Sequence, residues 1–224
     1  MKDALQEIYS VLYKEILSEF RTRYSISTIL LFILTTITII AISFASEKLT
    51  EESTASLLWV VIFFGTMIGL SKSFVSEEEH GTALLLQIVV RSDAIFFGKL
   101  IFNVLLSLFI NFFSIILFFL FANTAPIISL DLFILIVVIC SIAIASATTV
   151  ISAIISKAAS KNALFPILSF PILLPIIKIG IDSTGLTLVG TELSAIQSDM
   201  QLLIAYTGLL IIASYLLFDF IWKD

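Results

Sequence analysis

Charge is scarce in this chain. Of its 224 residues only 13% are Asp, Glu, Lys or Arg, while 59% are hydrophobic. A soluble domain carries about twice that share of charge. The long apolar runs exclude a soluble globular fold and point to an integral membrane protein. Cysteine occurs once, at Cys140 inside an apolar run, so no disulfide can close within the chain. Histidine also occurs once, at His80 in a loop. Neither a bis-histidine haem site nor a zinc site can be assembled from this chain alone. A Ser/His/Asp nucleophile is likewise excluded, because no acid is placed to orient His80. No ionisable residue falls near the middle of an apolar run. Such residues mark ion and proton paths, so their lack argues against a proton- or sodium-coupled carrier. A phosphate-binding loop is missing too: five residues before Gly98-Lys99 stands Asp93 where a glycine is required. ATP hydrolysis by that route is excluded. No catalytic residue and no metal ligand is expected.

What is present is six apolar stretches, at roughly 27–45, 56–75, 96–121, 131–155, 162–180 and 201–221. Each is close to or above the ~20 residues that cross a bilayer. The fold expected is an all-α integral membrane protein forming one unit over 1–224. The positive charges sort unevenly. Lys2, Lys14, Arg21, Arg23, Lys72, Arg91, Lys99, Lys157, Lys161 and Lys223 fall on one side, against Lys48 and Lys178 on the other. The positive-inside rule then puts the first set, and both termini, in the cytoplasm. Residues 1–25 are too polar for a signal peptide. Leu5, Ile8, Leu12, Ile16 and Phe20 recur there at three- and four-residue steps, the pattern of an amphipathic helix lying along a membrane surface.

Within the spans the polar residues are small and share faces. Asn103, Ser107, Asn111 and Ser114 line one face of the third span, and Ser141, Ala145, Thr148, Ser152 and Ser156 one face of the fourth. Gly65 and Gly69 lie one turn apart in the second. Such faces let helices approach closely in lipid; the Asn103–Ser107–Asn111 stripe also admits a second reading as a substrate path. The fifth span carries Pro166, Pro171 and Pro175. Pro171 and Pro175 would free the carbonyls of Ile167 and Pro171, which in lipid must find partners. Ser169 is a local hydroxyl that could serve. A kink or hinge with its bent face against protein is expected, and beyond it a short interfacial or re-entrant helix near Glu192–Met200.

The longest inside loop reads Glu77, Glu78, Glu79, His80, Gly81, Thr82, followed by apolar Leu84, Leu85 and Ile88. Acids at the start of a short helix complement its dipole. An acidic cluster before an amphipathic stretch suits docking of a cytoplasmic protein, although a solvated charge run has the same composition. This loop resembles the segment after the second span of ABC-2-type ABC exporter permeases: acids, Gly81-Thr82, an apolar run, then Gly98-Lys99 at the next span. Leu84 stands where that family often has a glutamate. The stretch "FPILLPII" from Phe170 to Ile177 resembles the proline-rich fifth span of the CcmB family, the membrane subunit of the cytochrome c maturation ABC complex. Length, span number and inferred topology are similar as well.

The resemblance implies a permease subunit without enzymatic activity, sited in a bacterial inner membrane. ATP would be bound and hydrolysed on a separate cytoplasmic CcmA-like ATPase, and the ATPase-coupling loop would be Glu77–Thr82. It also implies a CcmC-like haem-handling membrane protein, a small CcmD-like membrane subunit and a CcmE-like periplasmic haem chaperone, with haem handled by the complex and no cofactor held by this chain alone. No nucleic-acid partner is implied. Other functions compatible with the residues are an ABC-2 permease for a lipid, glycan or drug, and a non-transporting membrane scaffold.

Overall fold

A computed structural model describes residues 2–22, 24–158 and 161–223. Met1, Arg23 and Asp224, which enter the topology expected from charge, lie outside the described residues. The described chain is helical, with no strand. Helix α1 covers Lys2–Thr22, α2 Tyr24–Ser43, α3 Glu51–Leu70, α4 Val75–Glu79, α5 Ala83–Val89, α6 Ser92–Phe121, α7 Leu130–Ser156, α8 Lys161–Val189 and α9 Leu193–Lys223. Among the described residues, six helices are long and apolar enough to cross a membrane: α2, α3, α6, α7, α8 and α9.

Local chemistry sets the ends. The Thr50 hydroxyl caps α3 by accepting from the Ser53 N–H at 3.2 Å, with Glu51 and Glu52 in the first turn. Both features favour a helix start, so α3 begins before the apolar run does. Gly81, at φ +68°, turns the chain between α4 and α5, a conformation glycine adopts without steric cost.

Helix α7 is the hub: 72% of its apolar window is buried, against 22% for α2 and α9. It packs against α6, α8 and α9. Its small face is fully inside, with Ser141, Ala145, Thr148, Ser152 and Ser156 all at 0% exposure. Gly65 and Gly69 let α3 meet its neighbours: a Cβ on Gly69 would come within 2.5 Å of Ile110 and 3.2 Å of Ile29, and one on Gly65 within 3.3 Å of Ile110. Far from α4 and α5, the Trp59 indole lies flat on Gly180, where an added Cβ would stand 2.6 Å from the ring, and its Nε1 donates to Thr184 Oγ1 at 2.9 Å.

Two expectations change. The segment Glu192–Met200 is no separate re-entrant helix. Helix α8 runs to Val189 and α9 begins at Leu193. Ile196, Met200 and Leu203, at steps of four and three, are all buried, so one continuous face carries α9 into the core. In the proline span, two of the three rings do not face protein within this chain. Helix α8 continues through all three prolines, with Pro166 and Pro171 exposed and Pro175 half-buried. Ser169 is buried, and its Oγ has no hydrogen-bond partner among the described residues. It does not reach a freed carbonyl. The Tyr206 hydroxyl of α9 donates to the Ile172 carbonyl at 2.9 Å, which is not one of the carbonyls that the prolines free.

Candidate functional site

The densest polar chemistry lies where α1, α4 and the start of α6 meet. Gly98 makes the meeting possible. A Cβ there would lie 2.7 Å from Val11 Cβ and 3.1 Å from the Ile8 carbonyl oxygen, so α1 rests directly on the backbone of α6. Val11 and Glu15, one turn apart, both face inward at 2% and 7% exposure. This contact sets the Glu15 carboxylate beside Lys99, the residue after Gly98.

Lys99 is entirely buried. Its Nζ donates to Glu15 Oε1 at 2.7 Å, to Glu77 Oε1 at 3.1 Å and to the Ser73 carbonyl at 2.7 Å. It also stands 5.0 Å from the centroid of the Phe74 ring. Glu77 further accepts from Lys14 and from the Thr82 hydroxyl at 2.5 Å. Lys14 bonds Glu15 at 3.1 Å. Burial pulls the Lys14 pKa down, but Glu15 and Glu77 outweigh it and hold the group above the ordinary lysine value. The result is a quartet of two ammonium groups and two carboxylates, closed on itself. Desolvating such charges is costly, and removing one partner leaves the others buried and uncompensated, at about 3–5 kcal/mol.

Deeper contacts hold the same turn to the hub. Asn103 Nδ2 donates to Ser73 Oγ at 3.1 Å and to Thr149 Oγ1 at 2.8 Å. The Phe74 N–H donates to Ser152 Oγ at 3.0 Å. Phe74, Phe96, Phe218 and Trp222 form a second cluster joining this turn to the end of α9. Beyond Gly81, α5 is tied down at two points: Ala83 is buried, and the Gln87 amide donates to the Trp222 carbonyl. Its other side is bare. Leu84, Leu85, Ile88 and Val89 are 65–82% exposed.

The six loop residues singled out from the sequence therefore divide. Glu77 points inward at 4% exposure and is spent on Lys14, Lys99 and Thr82; it is not part of an exposed acidic face. The reason is Lys99, whose burial requires counter-charge. Glu78 is half-buried, and Glu79, His80, Gly81 and Thr82 are exposed. His80 Nδ1 donates to the Ser76 carbonyl at 2.6 Å. Pro166, Pro171 and Pro175 stay together on α8, and Gly65 and Gly69 on the α3 packing face. Asn103, Ser107 and Asn111 are buried between α6 and α7. Lys14, Glu15, Ser73, Lys99 and Thr149 were missed as site residues. No local signal marks them: Glu15 lies four residues after Val11, but only the fold shows that Gly98 receives that side. Among the described residues no group of His, Cys, Asp and Glu side chains could hold a metal ion.

A family profile described as CcmB protein matches residues 6–221. A comparison with curated proteins found no match.

Proposed function

Because the chain belongs to the CcmB family, we propose that it is the permease subunit through which a separate cytoplasmic ATPase drives its complex in cytochrome c maturation. Membership makes the chain a multi-pass membrane component of haem export for cytochrome c maturation, working with other Ccm components. The finer reading assigns α5 to the ATPase. The observation that carries it is the contrast inside one loop: α4 is bonded into the bundle through Glu77, while α5 projects four large apolar side chains outward. A partner groove that covers Leu84, Leu85, Ile88 and Val89, with a basic rim facing Glu79, fits that surface. Force applied there passes through Gly81 to α4, and from Glu77 through Lys99 to α6.

In this reading the ATPase is CcmA-like, ATP is bound there, and this chain catalyses nothing. Haem is substrate of the complex. A single histidine cannot supply two axial imidazoles, so axial ligation is assigned to a CcmC-like partner and the loaded chaperone is CcmE-like, with a CcmD-like small subunit alongside. The termini and the α4–α5 end face the cytoplasm of a bacterial inner membrane, in keeping with the side on which Lys and Arg accumulate. The test is co-purification in mild detergent. Leu84→Asp with Ile88→Asp should insert normally, lose the ATPase and fail in cytochrome c maturation. A variant that keeps its ATPase and its cytochromes would remove α5 from the coupling path.

A further inference from the structure

We propose that α6 and α7 enclose a file of water, running from a polar cavity beside the charge quartet into the interior of the bundle and held by Asn103, Ser107 and Asn111. The cavity holds about 250 Å³, and its walls include Glu15, Ser73, Glu79, His80 and Asn103. Asn103 is its link to the helix interface.

The two amides are oriented by their neighbours. Thr149 Oγ1 gives its proton to the Ala145 carbonyl at 2.6 Å, so it can only accept from Asn103 Nδ2. Ser141 Oγ gives its proton to the Val137 carbonyl at 2.6 Å, so it can only accept from Asn111 Nδ2 at 2.7 Å. Both amide oxygens must therefore look elsewhere, and neither finds a partner among the described residues. Asn103 is 1% exposed and Asn111 0%. Ser107 Oγ is also buried and unpartnered. Ser114, Ser141, Ser146, Thr148 and Thr149, by contrast, return their protons to carbonyls four residues back.

The register explains why Ser107 is left out. Asn103 pairs with Thr149 and Asn111 with Ser141, so antiparallel packing sets Ser107 level with Ala145. A methyl group neither donates nor accepts, and it leaves room. The three unpaired atoms thus share one face at steps of four residues, about 6 Å apart and about 12 Å end to end. An unpaired polar atom in an apolar interior is costly, and buried water characteristically makes two to four hydrogen bonds to such groups. Water entering past Asn103 supplies the missing donors in turn. With water between them, α6 and α7 can exchange side-chain hydrogen bonds for water ones as they shift.

The experiment is X-ray hydroxyl-radical footprinting of the intact complex in H₂¹⁸O, in which bound water oxidises side chains beside it. Ile144, next to Ala145 in sequence, should be oxidised at least tenfold faster than Ile33 on the Gly65 contact of α2 with α3, both being 0% exposed. Ala145→Val, filling the space opposite Ser107, should remove most of that excess. Thermal unfolding gives a second measurement that needs no bulky substitution. If water satisfies Ser107, Ser107→Ala loses hydrogen bonds and lowers the midpoint. A dry interface would be relieved by the same change. Oxidation of Ile144 no faster than Ile33, or a raised midpoint for Ser107→Ala, overturns the proposal.

Discussion

Helices α4 and α5 sit side by side in one loop and invert the usual rule. The acidic one, Val75–Glu79, turns its central carboxylate into the protein, whereas the apolar one, Ala83–Val89, leaves Leu84, Leu85 and Ile88 in the open. Composition alone assigns them the opposite way. The difference teaches that a charge in such a loop is placed by the counter-charge within reach, and an exposed apolar face by what remains to be bound. Glu77 has Lys99 and Lys14. Leu84 and Ile88 have nothing in this chain.

The sharpest way to break the contrast is to remove the cation beneath α4. Lys99→Ala should destabilise the protein by about 3–5 kcal/mol, read as loss of folded yield and a lower unfolding midpoint in detergent. Lys99→Met combined with Glu77→Gln should cost clearly less than the two single changes together, because the pair is coupled. Purely additive losses would mean that the quartet is not one unit. Next in size is the seat of α1. Gly98→Val forces a side chain against Val11 and the Ile8 carbonyl and should cost about 1–3 kcal/mol. Protease accessibility of α1 should rise with it.

On α5 the expected effect moves from folding to binding. Leu84→Asp with Ile88→Asp should leave the unfolding midpoint within about 0.5 kcal/mol of the parent, yet weaken ATPase retention at least tenfold, about 1.4 kcal/mol. Charge reversal sharpens the comparison within the acidic run itself. Glu77→Lys should behave as a folding defect. Glu79→Lys should fold normally and change only the salt dependence of docking, as rim charges do. The smallest effect concerns pH. The Lys14 pKa is raised above its unfolded value of 10.5, so its contribution is complete below that value and drains away as pH rises through the folded one. Lys14→Ala should lower stability at neutral pH, only slightly because Lys14 is 43% exposed and solvent screens its pairs, and the difference from the parent should vanish on the alkaline arm.

Much of the fold was legible because lipid permits few solutions. Six apolar runs become six long helices, and the small faces of α3 and α7 announce close packing before any contact is seen. What the sequence hid is contact between distant segments. Lys99 meets Glu15 across 84 positions, and no local pattern in α1 marks Glu15 as a buried ligand of a lysine in the third span. Of the apolar stripe expected to lie on the membrane surface, Ile8, Leu12 and Ile16 are half-buried in the protein, while Leu5 and Phe20 are 63% and 68% exposed, in line with Tyr9, Tyr13 and Leu17. The face that packs on α6 is the one carrying Val11, and Gly98 selects it. The re-entrant helix near Glu192 failed for a related reason: local polarity was read as a break, while Ile196 and Met200 kept α9 anchored in the core.

The contact of Trp59 with Gly180 gives α3 a mechanical ratio. The indole is pinned by a hydrogen bond to Thr184 and by a backbone too close for any other side chain. From this point α3 extends eight residues back to Glu51 and eleven forward to Leu70, arms of about 12 Å and about 16.5 Å. Pivoting there, a displacement of about 3 Å at the loop end becomes about 2 Å in the opposite sense at the far end. If the α4–α5 end is driven as proposed, such a pivot would gear α3 down, exchanging travel for force.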